Sequence, residues 1–239
     1  MAKFYGNSDP YLRNKDVEYY FFAGVLAIFP FAGLVVILWA FTHRFNPTSF
    51  SIAIFATIAL VILMGPIVTQ LKLVSGRYYR GRAAEKNIAQ LLHKLPDDYT
   101  VFSNVRLGDH KGNLDFVVVG PGGVFILEVK AHGGDIGYNG HALTVNGRAF
   151  ADKNFFQQMH GETWALKNYL DAHGAGGVYI HAALVFASPH ARAHFGYNLV
   201  NHIYVVQKDF LLGLFSQCPP YQYAAAPKEK VEQVLAGVV

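Results

Sequence analysis

One cysteine, Cys218, stands in a chain of 239 residues. That excludes an internal disulfide and suits a reducing compartment. Charge is scarce as well. Asp, Glu, Lys and Arg make up 15% of the residues against 52% apolar, and the net charge of +4 is too mild to name a partner alone. No internal repeat and no low-complexity tract interrupts the chain. The glycine-rich turn Gly120-Pro121-Gly122-Gly123 lacks the Gly-Lys-Ser/Thr of a phosphate-binding P-loop and reads as a plain turn. His190 and His194 have the spacing of a helical zinc pair. No Glu or Cys signature accompanies them, and Pro189 marks a loop there.

The apolar excess is local. Tyr19–Thr42 contains no charged residue and is long enough to cross a bilayer, and Phe50–Val68 is uncharged and about long enough. A short polar turn, "HRFNPTS", joins them. The pair reads as a transmembrane helical hairpin at 19–70, with spans at about 19–42 and 50–68 and Pro30 and Pro66 in or near the helices. Lys3, Arg13 and Lys15 precede the first span. Lys72, Arg77, Arg80, Arg82 and Lys86 follow the second, while the turn carries only Arg44. By the positive-inside rule both termini face the cytoplasm, in a multi-pass protein of the inner or plasma membrane. Residues 1–18 then form an N-terminal cytoplasmic segment. The cluster "KLVSGRYYRGR" either fixes this topology or touches phosphates of nucleic acid or anionic lipid.

From about Arg77 the composition becomes that of an α/β domain, taken as 77–216, with a tail and short helix over 217–239. "GRAAEKNIAQLLHKL" places Ile88, Leu91, Leu92 and Leu95 on one helical face. "YTVFSNVRL" alternates like a strand, and Leu114–Val119 and Val124–Lys130 are strands around the glycine-rich turn. The Gly-rich stretch from His132 to Phe150 suggests a small sheet extension. "NFFQQMHGETWALKNYLDAH" is helical, "VYIHAALVFAS" a buried strand, "HIYVVQ" a shorter one, and two helices close the chain. The sum is a mixed β-sheet flanked by helices.

The hairpin raises a question of charge. Side chains alternate along a strand, so Asp115 shares a face with Val117 and Val119, and Glu128 and Lys130 share one with Val124 and Ile126. A four-residue loop at Gly120–Gly123 sets Val119 against Val124, and Asp115 against Glu128. Opposed carboxylates destabilise a sheet unless a cation lies between them. Carboxylate oxygens are ligands that Mg²⁺ prefers, and one or two suffice beside water and phosphate. Lys130, two residues on, can stabilise charge developing on a phosphate. Glu85, three residues before Ile88, adds a third carboxylate on the helix face expected to pack on the sheet. Arg106, Lys111, His132 and Arg148 can form a phosphate-binding rim.

These residues resemble a known family. Glu85, Leu114-Asp115, Glu128-Val129-Lys130 and the context "GPGGVFILEVK" are similar to the NERD (nuclease-related domain) family, itself similar to the PD-(D/E)xK restriction-endonuclease-like superfamily. The resemblance covers roughly Gly81 to Val185. "NFFQQ" supplies the family's Gln as Gln158, after Asn154, in preference to Gln157. Ala84 replaces the usual Gly before the helix Glu, and Phe116 the His often found after the Asp. The resemblance implies a restriction-endonuclease-like fold and Mg²⁺-dependent (or Mn²⁺-dependent) hydrolysis of DNA, with RNA also open. Asp115, Glu128 and Glu85 would bind the metal, Lys130 would act at the phosphate, and Gln158 would fix the geometry. The other reading is a non-catalytic, membrane-anchored module that holds nucleic acid or protein.

Overall fold

In a computed structural model of the chain, the described residues are 1–6, 10–42, 47–108, 112–150, 154–221 and 227–239. Arg44, His110 and Lys111 lie outside them. The chain divides into two compact units, Pro10–Arg80 and Met1–Asp9 with Gly81–Val239.

The first unit holds α1 (Pro10–Thr42) and most of α2 (Pro47–Leu92). Their apolar stretches are uncovered: Phe21, Ile28, Phe31, Leu34, Ile52, Phe55, Ile62 and Leu63 are all exposed. Val17–Trp39 and Ile54–Leu92 are long and apolar enough to cross a membrane. Gly33 lets the two helices meet closely, since a Cβ there would lie 2.7 Å from Thr57 Cγ2. The sequence suggests a break between the second apolar run and the helix at Gly81. Instead α2 runs unbroken through the basic cluster to Leu92, with Pro66 inside it.

The second unit is built on a mixed sheet of seven strands in the order β1-β2-β3-β4-β8-β11-β10. β2 (Thr100–Arg106), β3 (Asn113–Gly120) and β4 (Gly123–Lys130) form an antiparallel meander. β8 (Ile180–Phe186) runs parallel to β4, and β11 (Ile203–Gln207) parallel to β8. β10 (Leu199–Val200) closes one edge. The other edge is closed by β1 (Lys3–Tyr5), which pairs parallel with β2, Lys3 against Thr100. Three residues that include a Lys carry too little periodicity to announce a strand. The stretch 1–18 is thus more than a free tail, because its first residues are part of the sheet. The glycine-rich insertion makes a separate four-stranded sheet, β7-β6-β5-β9 (Arg148–Ala149, Leu143–Val145, Gly134–Tyr138 and Ala191–Ala193).

Alternation gives the large sheet two buried faces. On one, Val117, Val119, Val124, Ile126 and Leu184 pack against α3 (Phe155–Ala172) through Phe155, Met159, Leu166 and Leu170, and against α5 (Lys228–Ala236) through Val231 and Leu235. On the other, Phe116, Val118, Phe125 and Leu127 meet Ala84, Ile88 and Leu92 of α2 and Leu211, Leu214 and Phe215 of α4 (Leu211–Gln217). Cys218 is buried on this second face.

The β3–β4 turn is tighter than the sequence suggests. Gly120 pairs with Gly123, leaving Pro121 and Gly122 as the loop, and Val119 still faces Val124. Pro121 presets the bend, and Gly123 takes φ +112, a conformation that side chains other than hydrogen resist. At Gly120 the constraint is space: a Cβ would sit 2.2 Å from Tyr99 Cδ1, and that ring is held edge-on to Phe215 at 5.6 Å. Gly120→Ala should therefore destabilise the second unit by about 1–3 kcal/mol, read as a lower denaturation midpoint.

Candidate active site

Five charged or amide side chains converge where β3, β4 and α3 meet. Lys130 and Glu128 lie on one face of β4 and are 7% and 8% exposed. Lys130 Nζ donates to Glu128 Oε1 at 2.6 Å and to Gln158 Oε1 at 3.1 Å, and lies 4.6 Å from the centre of the Phe155 ring. The Gln158 amide nitrogen donates to Glu128 Oε1 and to Glu162 Oε1, each at 2.8 Å. A buried amine beside an aromatic face and two acceptors is well held.

Local chemistry of α3 places Gln158. Asn154 caps the helix, its side-chain oxygen accepting the Gln157 N–H at 3.1 Å. With the start fixed there, Gln158 turns toward the sheet and Gln157 toward solvent. The Asn-to-Gln spacing therefore has a physical cause, a cap that sets the helix phase.

Asp115 departs from the simple cross-strand picture. The β3–β4 ladder is regular as far as Phe116 against Leu127, one step short of Asp115 and Glu128. Asp115 Oδ2 instead accepts the Val129 N–H at 2.7 Å. On the other side, the β2–β3 pairs step from Ser103–Phe116 to Val105–Leu114. Asn104, which would oppose Asp115, adopts φ +57. The sheet is thus opened around Asp115 on both sides, and its carboxylate replaces a ladder acceptor.

The charge balance is lopsided. Asp115 is pushed well above the usual carboxylate range by burial first, then by the charges of Glu128 and Glu85; the Val129 N–H and Lys130 pull it down only partly. Glu162 is 6% exposed and rises to about 7, through burial and then Glu128, against opposing contributions from Gln158 and Lys130. Its Oε2 has no hydrogen-bond partner among the described residues. Sequence reasoning missed Glu162. Its signal was present, four residues beyond Gln158 on the same helix face.

Glu85 is half-buried and acts on Asp115 through its charge. The α2 stripe that packs is led by Ala84, and it covers the second sheet face, opposite to that of Val124 and Ile126, which Glu128 continues. Glu85 stands at the margin of that stripe, not within it. Arg106 is exposed at the end of β2, paired with Asn113 two residues before Asp115. Arg148 is exposed on β7 of the small sheet. His132 stacks edge-on against Phe150 at 5.1 Å and tilts against Phe155 at 6.1 Å, beside the aromatic ring that lies under Lys130. His194 Nε2 lies 2.7 Å from Asp135 Oδ1 in the small sheet.

Among the described residues, no three His, Cys, Asp or Glu side chains are grouped so as to hold a metal ion as they stand. The donor chemistry nonetheless fits a hard divalent cation. Hard oxygen donors crowd one lysine, and two of the carboxyls are driven toward their protonated forms by burial first and then by neighbouring carboxylates.

A carboxyl whose folded pKa is raised stabilises the fold below its ordinary value and loses that contribution as pH rises through the folded value. For Glu162 the window runs from 4.5 to about 7. In chelator, melting of the second unit should fall across this window, by up to about 3 kcal/mol. Asp115 contributes with the same sign. Glu162→Gln should remove most of the slope, which thermal denaturation at several pH values would read.

Comparison with curated proteins and with solved structures returns no match. Residues 80–187 match the model of the family described as nuclease-related domain, NERD. The match runs from the last turns of α2 through β8 and contains Glu85, Asp115, Glu128, Lys130, Gln158 and Glu162. Over these residues the chain carries a nuclease-related domain.

Proposed function

We propose that the chain is a membrane-anchored nuclease of restriction-endonuclease-like fold that hydrolyses DNA phosphodiester bonds with a divalent cation. The observation that carries this is the buried Asp115–Glu128–Lys130–Gln158 cluster, inside the nuclease-related match and at the point where the sheet opens. Asp115 and Glu128 would hold Mg²⁺ (or Mn²⁺), with Glu85 acting through its charge; the cation would supply Lewis-acid stabilisation of the phosphate. Lys130 offers a fixed positive charge to the phosphate as negative charge builds on its oxygens. Gln158 keeps Lys130 and Glu128 in register. Arg106 and Arg148, both exposed, would meet the DNA backbone, and Lys111 would join them as a third cation.

Two features support the membrane anchor. The apolar surface of α1 and α2 is far larger than a protein in water leaves uncovered. β1 precedes both helices and β2 follows them, yet the two are hydrogen-bonded in one sheet. The chain must leave and return on the same side, which two spans achieve. With Lys and Arg flanking the outer ends, that side is the cytoplasm.

A second reading has its own observation. Lys130 is already paired with Glu128 at 2.6 Å, as in a site closed on itself, which suits a module that binds nucleic acid without cutting it. Cleavage of plasmid and linear DNA by the full chain in detergent separates the two. The parent should cut with Mg²⁺ and stop with chelator. Lys130→Ala and Asp115→Asn should each lose about 10²-fold or more. Equal activity in all three would sink the assignment, and binding without cleavage in any divalent metal would establish the module.

Topology is checked separately in sealed vesicles, with Cys218→Ala as background. Thr48→Cys should react with an impermeant thiol reagent from one side, and Lys94→Cys and Lys3→Cys from the other. Labelling of Lys3→Cys and Lys94→Cys from opposite sides would refute the paired spans.

A further inference from the structure

Glu162 is not among the residues that the family resemblance singles out, and its placement needs an explanation. It lies on the sheet-facing side of α3, one turn beyond Gln158 and within the stripe that carries Met159 and Leu166. One of its oxygens accepts the Gln158 amide at 2.8 Å; the other has no hydrogen-bond partner among the described residues. A buried carboxyl with an unpaired oxygen is a cost to the fold, and an apolar side chain of similar size would pack there more favourably. Stability alone therefore does not account for it.

The amide of Gln158 does. A glutamine side chain can sit either way round, and its surroundings decide which. Here the nitrogen faces two carboxylate oxygens, from Glu128 and Glu162, while the oxygen faces the Lys130 ammonium. Turning the amide over would set its oxygen against both carboxylates and its nitrogen against the ammonium, reversing three favourable contacts. Without Glu162 one N–H of the amide loses its acceptor, and the side chain is left with only the two groups it is meant to orient.

We infer that Glu162 is a positioning residue of the proposed nuclease site: it anchors the Gln158 amide from the helix side, so that Glu128 and Lys130 are held in the arrangement the reaction uses. Glu162 acts through Gln158 and touches neither substrate nor the reacting atoms. The role rests on the nuclease reading above.

The test uses the full chain in detergent with Mg²⁺, comparing Glu162→Leu and Glu162→Gln with the parent. Glutamine retains an acceptor oxygen for the Gln158 amide, and leucine does not. Glu162→Leu should lower kcat at least tenfold with KM within about twofold and no loss of thermal stability. Glu162→Gln should recover most of the lost kcat. Activity of Glu162→Leu within twofold of the parent, or equal losses in both variants, would overturn the inference. A second readout does not depend on cleavage. In chain labelled with ¹⁵N-glutamine, solvent exchange of the Gln158 side-chain NH₂ should accelerate at least tenfold in Glu162→Leu and much less in Glu162→Gln. Unchanged exchange in Glu162→Leu would refute the anchoring even if cleavage is seen. A parent that cleaves nothing defeats the nuclease reading, and the exchange result then still decides the anchoring of Gln158.

Discussion

The second unit turns on an imbalance. One amine, Lys130, is set inside a sheet among carboxyls that outnumber it. A buried amine is tolerated only with close acceptors, and buried carboxylates only with donors or cations. Glu128 at 2.6 Å and Gln158 at 3.1 Å meet the first need. The second is met only in part, and burial together with the neighbouring carboxylates pushes Asp115 and Glu162 above the usual carboxylate range. The surrounding architecture serves this knot. Asn154 phases α3 so that Gln158 and Glu162 face inward, and the ladder opens at Asn104 so that Asp115 can reach the Val129 N–H. The Phe155 ring closes over the amine.

Strand alternation divides the work of the sheet between its faces. Val117 and Val119 of β3 and the even-numbered residues of β4 point to the face where the charged groups gather, and α3 covers it. The other face is wholly apolar at its centre, with Phe116, Val118, Phe125 and Leu127 packed under α2 and α4. A firm hydrophobic contact on one side lets the same strands carry polar groups on the other. β4 is the pivot, bonded to β3 along one edge and to β8 along the other. Lys130 lies beyond the end of the β3 ladder and is held on the β8 side alone, opposite Phe186, where the Ala187 N–H returns to its carbonyl at 2.9 Å.

Much of this was legible in the sequence. The β3–β4 register was readable because a period of two and a glycine-rich turn leave few ways to pair. Gln158 came from the family resemblance alone, and the structure supplies the physical reason for the spacing, the Asn154 cap. What escaped shows the limits of local pattern. Asp115 bonds a backbone N–H because the ladder stops there, and nothing near Asp115 in sequence says so; the cause is the φ of Asn104, on another strand. Glu162 looked like one more charge on an amphipathic helix, and only its depth below the surface marks it. The packing stripe of α2 was found at Ile88, Leu91, Leu92 and Leu95, but its first member is Ala84, which offers little hydrophobic signal, and not its neighbour Glu85. The second sheet was foreseen only as an extension, because β9 joins it from a segment beyond β8.

β1 brings time into the account. Residues 3–5 are synthesised well before their partner strand, which begins at Thr100. Until both long helices have been made and put in place, β1 has nothing to pair with and the edge of β2 has no cover. β1 thus has to wait for β2 across the whole length of both helices. A chain in which β1 failed to return to β2 would keep an open sheet edge, the kind of surface on which unfinished proteins are recognised and on which they aggregate.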